Sequence, residues 1–185
     1  MKTLLVQYKP FFLFLIRFLV FYFVCTFVYK MYLNQYNPDL NEVDGISQVV
    51  AEQTGHVLNL FGHNAEIVKH ENEPSVKILY KGVYVSRIIE GCNAISIIIL
   101  FAAFVFAFSS GFKRTFLFIV SGAVLIYILN IIRIVLLTLA LYYKPEYERI
   151  LHGTVFPLFI YGAVFLLWVF WVTKVSGYAK RNITE

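Results

Sequence analysis

Three side chains in this sequence carry chemistry that fold-building does not require: the thiol of Cys92, the guanidinium of Arg133 and the imidazole of His152. Cys92 stands in the polar run EGCNAIS, where a long apolar stretch begins. If that stretch is a helix, its first turn offers unpaired N–H groups and the positive end of the dipole, both of which favour a thiolate. Arg133 follows Asn130 by three residues inside another apolar run, so the two share one helix face. A charge at the centre of a bilayer costs about 2.5–3.5 kcal/mol on insertion scales, which makes such a pair a functional candidate. His152, followed by Gly153, Thr154 and Pro157, can take a proton near neutral pH. The chemistry open to such a trio is nucleophilic acyl transfer. Cys92 attacks a peptide carbonyl to form a thioester, and His152 acts as base and then as acid for the leaving amine. Arg133 stabilises the oxyanion or holds the peptide, with Asn130 orienting it. Glu90 and Asn93 are the supporting polar residues beside the thiol. Each member also has a plainer reading: Cys92 as a small hydrophobe, Arg133 snorkelling to headgroups or paired with Glu90, His152 as a solvated loop residue.

The elements that must position these residues follow from composition. Of 185 residues, 59% are hydrophobic and only 15% charged, against about a quarter charged in a soluble domain, which excludes an ordinary water-soluble enzyme. Four segments are apolar enough to cross about 30 Å of hydrocarbon: Phe11 to Leu33, Cys92 to Ser109, Phe116 to Tyr143 and Thr154 to Val175. The first lacks a small-x-small cleavage site and reads as an uncleaved anchor. The net charge of +5 does not point to nucleic acid, because Lys and Arg collect beside apolar runs. Lys2 and Lys9, Lys113 and Arg114, and Lys174, Lys180 and Arg181 mark three cytoplasmic flanks. Both termini are then cytoplasmic, and residues 34–91 and the loop from Lys144 to Gly153 lie outside, with ten of the eleven acidic residues. On that topology Arg133 sits about 25 Å up its helix, near the outer edge of the hydrocarbon, and Cys92 and His152 reach the same face. Because the topology comes from flanking charges and span lengths, this coincidence argues for a site.

The expected fold is therefore an all-α polytopic membrane protein of about four transmembrane helices, with a small α+β extracytoplasmic segment between helices one and two. Residues 1–33 form the cytoplasmic end and first helix, 34–91 the cap, and 92–185 a three-helix catalytic core with a cytoplasmic tail. Within the cap, Val43, Ile46, Val49, Val50, Val57, Leu60 and Phe61 recur at helical spacing over Glu42 to Phe61. Ala65 to Lys69 and Val76 to Ile88 read as strands around a turn at 71–75, with Val76, Ile78 and Tyr80 on one face and Gly82 breaking the run. So small a segment buries little core alone and is expected to lie on the membrane or on the spans.

At these residues the chain resembles the exosortase/archaeosortase family of membrane cysteine transpeptidases, in its short bacterial exosortase F type. EGCNAIS around Cys92, NIIRIV around Arg133 and the pair His152-Gly153 carry the resemblance, which covers about Ile88 to Leu167. It implies that Cys92 is the nucleophile and that Arg133 and His152 complete the site. The implied substrate is an exported protein with a C-terminal sorting signal: a short motif, a hydrophobic helix and a basic tail. Cleavage at the periplasmic face of the bacterial inner membrane, with transfer to a surface anchor, is implied too. Asn93 and Ala94 replace the Gly or Ser that many members carry after the cysteine. Four spans, where larger members have more, suggest a partner subunit or homo-oligomer to enclose a substrate helix.

Other patterns carry less. His56, His63 and His70 recur at intervals of seven, but Gly62 and the change from helix to strand break their common face, so no metal and no cofactor is expected. Cys25 lies in an unbroken run of Phe, Tyr and Val and reads as packing. The sequon at Asn182 falls on the cytoplasmic side. Two other function classes compete: a non-enzymatic scaffold or assembly partner, with Asn130 and Arg133 as helix-packing groups, and a quinone-coupled thiol oxidoreductase, for which a single outer thiol is too few.

Overall fold

The computed structural model describes residues 8–62, 64–109 and 111–176. Helix α1 (Lys9–Leu33) leads into α2 (Gly45–Leu60), then strands β1 (Ala65–Lys69), β2 (Val76–Tyr80) and β3 (Val83–Ile88). A 3₁₀ turn over Glu90–Cys92 precedes α3 (Ile95–Ala107) and the long α4 (Phe112–Tyr143). The last helical stretch runs from Pro145 to Val175, with α5 (Phe156–Phe170) between π-helical turns at Leu151–Val155 and Trp171–Val175.

Among the described residues, three helices are long and apolar enough to cross a membrane: Lys9–Leu33, Phe112–Tyr143 and Pro145–Val175. Large apolar side chains on their surfaces, among them Val20, Phe27, Leu117, Val124, Leu158 and Leu166, are exposed, as hydrocarbon-facing surfaces require. The second expected span is shorter than its sequence suggests. Its helix, Ile95–Ala107, has 13 residues and reaches only about 20 Å. It sits inside the bundle, with Phe101, Ala103 and Val105 fully buried. Gly122 of α4 makes this packing possible, because a Cβ there would lie 2.3 Å from Phe101 Cζ. Aromatic contacts close the bundle, Phe104 stacking on Trp168 at 4.4 Å and Phe14 meeting Phe108 at 4.4 Å. Arg17, a charge within α1 that the sequence reading passed over, is exposed.

Between α1 and α3 the chain forms the α+β cap. Its sheet is an antiparallel β1-β2-β3 meander, with Lys81 and Gly82, both at positive φ, forming the two-residue turn that separates β2 from β3. Val76, Ile78 and Tyr80 are buried on one face, as their alternation suggests. Asp44 caps α2 by accepting from Ser47 N at 2.9 Å. The buried face of α2 is Val50, Ala51, Thr54, Gly55 and Leu58, which differs from the stripe read in the sequence. Val49, Leu60 and Phe61 are exposed, because small Ala51 and Gly55 turn inward to admit the sheet. A Cβ on Gly55 would stand 2.7 Å from the Ile67 side chain.

The cap does not stand alone. Val50, Leu58, Val76, Ile78 and Ile88 share one core with Ile131, Ile134 and Val135 of α4. Tyr127 donates to Gln53 at 2.8 Å, Ser86 and Thr138 share a hydrogen bond at 3.1 Å, and Tyr80 meets Tyr142 edge-on. At about 48 Å, α4 is longer than the roughly 30 Å of a hydrocarbon layer, and its C-terminal part, from Tyr127 to Tyr142, is a wall of the cap's core.

Candidate active site

Cys92 is mounted by two buried asparagines. The chain reaches it through the Glu90–Cys92 turn, in which Cys92 N donates to Ile89 O at 2.8 Å. Helix α3 does not start at the cysteine, as the sequence suggests. Ala94 adopts a left-handed conformation (φ 65°) that a non-glycine residue enters at a cost of about 1–3 kcal/mol, so the helix cannot extend back past it. Asn93 Oδ1 takes the Ile95 N–H at 3.0 Å. Asn93 Nδ2 donates to Tyr29 Oη at 2.8 Å and to Ser47 Oγ at 3.3 Å, tying the turn to α1 and α2 at once. Cys92 therefore stands in a turn fixed on both sides rather than in the first turn of a helix, where the helix dipole would favour a thiolate.

Asn130 supplies the second anchor. It is fully buried in α4, and its Nδ2 donates to the Cys92 carbonyl at 2.7 Å. One helical turn on, Arg133 Nη1 donates to Asn130 Oδ1 at 3.4 Å, so the shared face connects cysteine backbone, amide and guanidinium in one chain of contacts. Arg133 forms no ion pair among the described residues, and its buried Nε has no hydrogen-bond partner. Glu90 is exposed and interacts with the Tyr29 hydroxyl instead of with Arg133. Pairing with Glu90 thus does not explain the half-buried arginine.

His152 occupies a helix rather than the loop expected between Lys144 and Gly153. Pro145 opens that helix, where its missing N–H costs nothing, and His152 falls in the π turn Leu151–Val155. The widened turn has a local cause in Pro157, which cannot donate to the Gly153 carbonyl and whose ring would crowd it in a regular α-helix. Such π turns recur where a side chain must be re-aimed.

The three segments meet in a cavity of about 460 Å³, lined by Cys92, Arg133 and His152 together. Its floor is Ile134, Leu137 and Leu141 of α4, and one wall is the consecutive run Tyr84 to Ile89. Glu148 also lines it, and the sequence reading missed this residue. The signal was present in ERILH, where an acid precedes the histidine by four residues and so shares its helix face. Asn93 and Asn130 serve as mounts for the turn. A polar group entering this space would find Cys92, Arg133 and His152 on its walls, beside the apolar side chains of α4.

Among the described residues no cluster of three or more His, Cys, Asp or Glu could hold a metal ion. Of the histidines spaced by seven, His56 lines a separate apolar recess, His70 accepts from Asn72 N, and His63 lies outside the described residues. Lys2, Lys180, Arg181 and the sequon at Asn182 also lie outside them. No curated protein and no solved structure matches this chain. The family model described as transmembrane exosortase (Exosortase_EpsH) matches residues 3–173, nearly the whole chain. With a bundle of apolar helices and motif residues around one cavity, the chain belongs to the transmembrane exosortase family.

Proposed function

We propose that this exosortase is a cysteine transpeptidase or protease of the short F type, cleaving C-terminal sorting signals of exported proteins at the periplasmic face of the bacterial inner membrane. The observation that carries the reading is the shared cavity: three segments far apart in sequence bring Cys92, Arg133 and His152 to one space. In the proposed reaction His152 takes the Cys92 proton, and Sγ adds to the scissile carbonyl. Arg133, which lines the cavity and forms no ion pair among the described residues, pairs with the resulting oxyanion. Collapse of the tetrahedral intermediate breaks the C–N bond. His152 returns its proton to the leaving amine, and the acyl group remains on sulfur as a thioester. Attack by an amine on that thioester transfers the polypeptide to an anchor, and attack by water releases it. Both chain ends are cytoplasmic in this reading, with the short α3 as the fourth crossing, and the cap stands outside. The exposed faces of α1, α4 and α5 leave room for a substrate helix, a partner subunit or a second copy.

The test is processing of an exported reporter carrying a short motif, a hydrophobic helix and a basic tail. Cys92→Ala and Cys92→Ser should abolish shortening of the reporter while the enzyme still inserts. Intact processing by both variants would return the protein to the scaffold reading. A membrane-impermeant maleimide added outside the inner membrane should label Cys92, and labelling only after permeabilisation overturns the orientation.

A further inference from the structure

One wall of the cavity is a strand edge. In the order β1-β2-β3, β3 is paired on one side only, and among the described residues its backbone hydrogen bonds run to β2 alone. The other edge faces the cavity, which six consecutive residues, Tyr84 to Ile89, line without a gap. A second recess of about 230 Å³, reaching Val83, Tyr142 and Pro145, shares Tyr84, Val85, Leu141 and Glu148 with the first, so the groove follows the whole strand. An open edge of this kind is normally blocked, because its free N–H and C=O groups recruit another extended chain. Here the groove continues it, and a bulge opposite Ile78 and Leu79 re-aims the strand beside the cavity.

Strand direction adds a constraint. β3 starts beside Tyr142 and Pro145, at the far end of α4, and finishes in the core shared with Ile134, four residues before Cys92. It therefore descends toward the apolar part of α4 and delivers the chain to the thiol. A polypeptide whose body lies beyond the cap and whose following segment enters the membrane descends the same way.

We infer that the stretch of substrate preceding the scissile bond binds as a fourth strand, parallel to β3, with its main chain on the free edge and its carbonyl at Cys92. This rests on the cysteine-nucleophile reading above and adds how the substrate is held. Main-chain pairing supplies affinity with little demand on side chains, so part of the recognition is independent of sequence.

The test uses the full chain in lipid micelles and chloromethyl ketones as probes. Cys92 Sγ displaces chloride, the C–S bond forming as the C–Cl bond breaks, with the thiol proton lost to solvent. The reagents are N-acetyl-valine chloromethyl ketone, the tetrapeptide acetyl-Thr-Val-Thr-Val chloromethyl ketone, and the tetrapeptide N-methylated at each amide in turn. The tetrapeptide should alkylate Cys92 about tenfold faster than the single residue, the gain of one or two hydrogen bonds. N-methylation should slow it about fivefold at alternate positions and less than twofold between them, the period of a strand. Equal rates for long and short reagents, or an N-methyl effect without alternation, overturn the inference. Protection of Cys92 that grows with protein concentration gives the edge to a second copy and overturns it too. Iodoacetamide separates the two layers: if it labels Cys92 no faster than Cys25, the nucleophile reading itself fails, and the strand inference falls with it.

Discussion

Replacing Asn130 by Leu isolates the contact that joins the membrane helix to the cysteine turn. Leu keeps the same branched heavy-atom skeleton but exchanges the amide oxygen and nitrogen for two methyl groups, so the donor to the Cys92 carbonyl at 2.7 Å and the acceptor for Arg133 at 3.4 Å disappear together. No other hydrogen bond to the Cys92 carbonyl is present among the described residues. Leaving a buried acceptor unmade costs about 1–3 kcal/mol, and the Arg133 contact, long and only partly buried, adds little. Polar contacts between membrane helices average about 0.6 kcal/mol, which places the expected loss toward the lower half of that range, about 1–2 kcal/mol. Unfolding of the purified protein by SDS titration, followed by far-UV ellipticity, reads this directly. The same variant should alkylate with iodoacetamide at Cys92 several-fold more slowly or less uniformly, because the turn loses one of its two mounts. A transition superimposable on that of the parent protein, with unchanged Cys92 reactivity, would refute the claim that Asn130 holds the site together.

Gly122→Ala should destabilise the bundle by about 1–3 kcal/mol, since the new methyl meets the fully buried Phe101 ring, and Phe101→Leu in the same chain should restore part of the loss in the SDS titration. Arg133→Lys should insert and fold yet lose most processing of the tailed reporter, because an ammonium lacks the planar fork that reaches both Asn130 and an oxyanion; full activity would reduce Arg133 to a charge anchor. His152→Gln should insert and fold yet lose most thioester formation, because the amide cannot take the Cys92 proton; full thioester formation by the variant assigns the base elsewhere.

What was readable from sequence alone differs by element, for physical reasons. The strand character of 76–88 was legible because Val76, Ile78 and Tyr80 alternate and Gly82 breaks the run, a period-two signal with little competition, whereas the hairpin turn at Lys81 and Gly82 emerges only in the fold. The face of α2 was not, because apolar residues ring the helix and the deciding factor is the small pair Ala51 and Gly55, which matters only when Ile67 arrives. The length of α3 was hidden by Ala94: nothing in an alanine announces a left-handed residue, and only the competing hydrogen bonds of Asn93 stop the helix there. The region from Pro145 to Gly153 carries charges and a glycine that read as loop, yet helix continues through it by way of a π turn. For the candidate site, residue types and spacing sufficed to nominate Cys92, Arg133 and His152, because a charge inside an apolar run and a thiol among polar neighbours need no tertiary information. Glu148 could have been found from its spacing to His152, whereas the β3 edge required the fold, since it becomes part of the cavity only when the last helix lies beside it.

Trapping the acyl-enzyme tests the proposed chemistry most directly. Cells producing the protein and a tailed exported reporter are quenched in acid, and the Cys92 peptide is analysed by mass spectrometry with and without neutral hydroxylamine. The expected result is a reporter fragment attached at Cys92, released by hydroxylamine as a thioester must be, and missing from the Cys92→Ser protein. Complete reporter processing with Cys92 unmodified throughout, and an identical outcome for Cys92→Ala, would contradict a cysteine mechanism at this site.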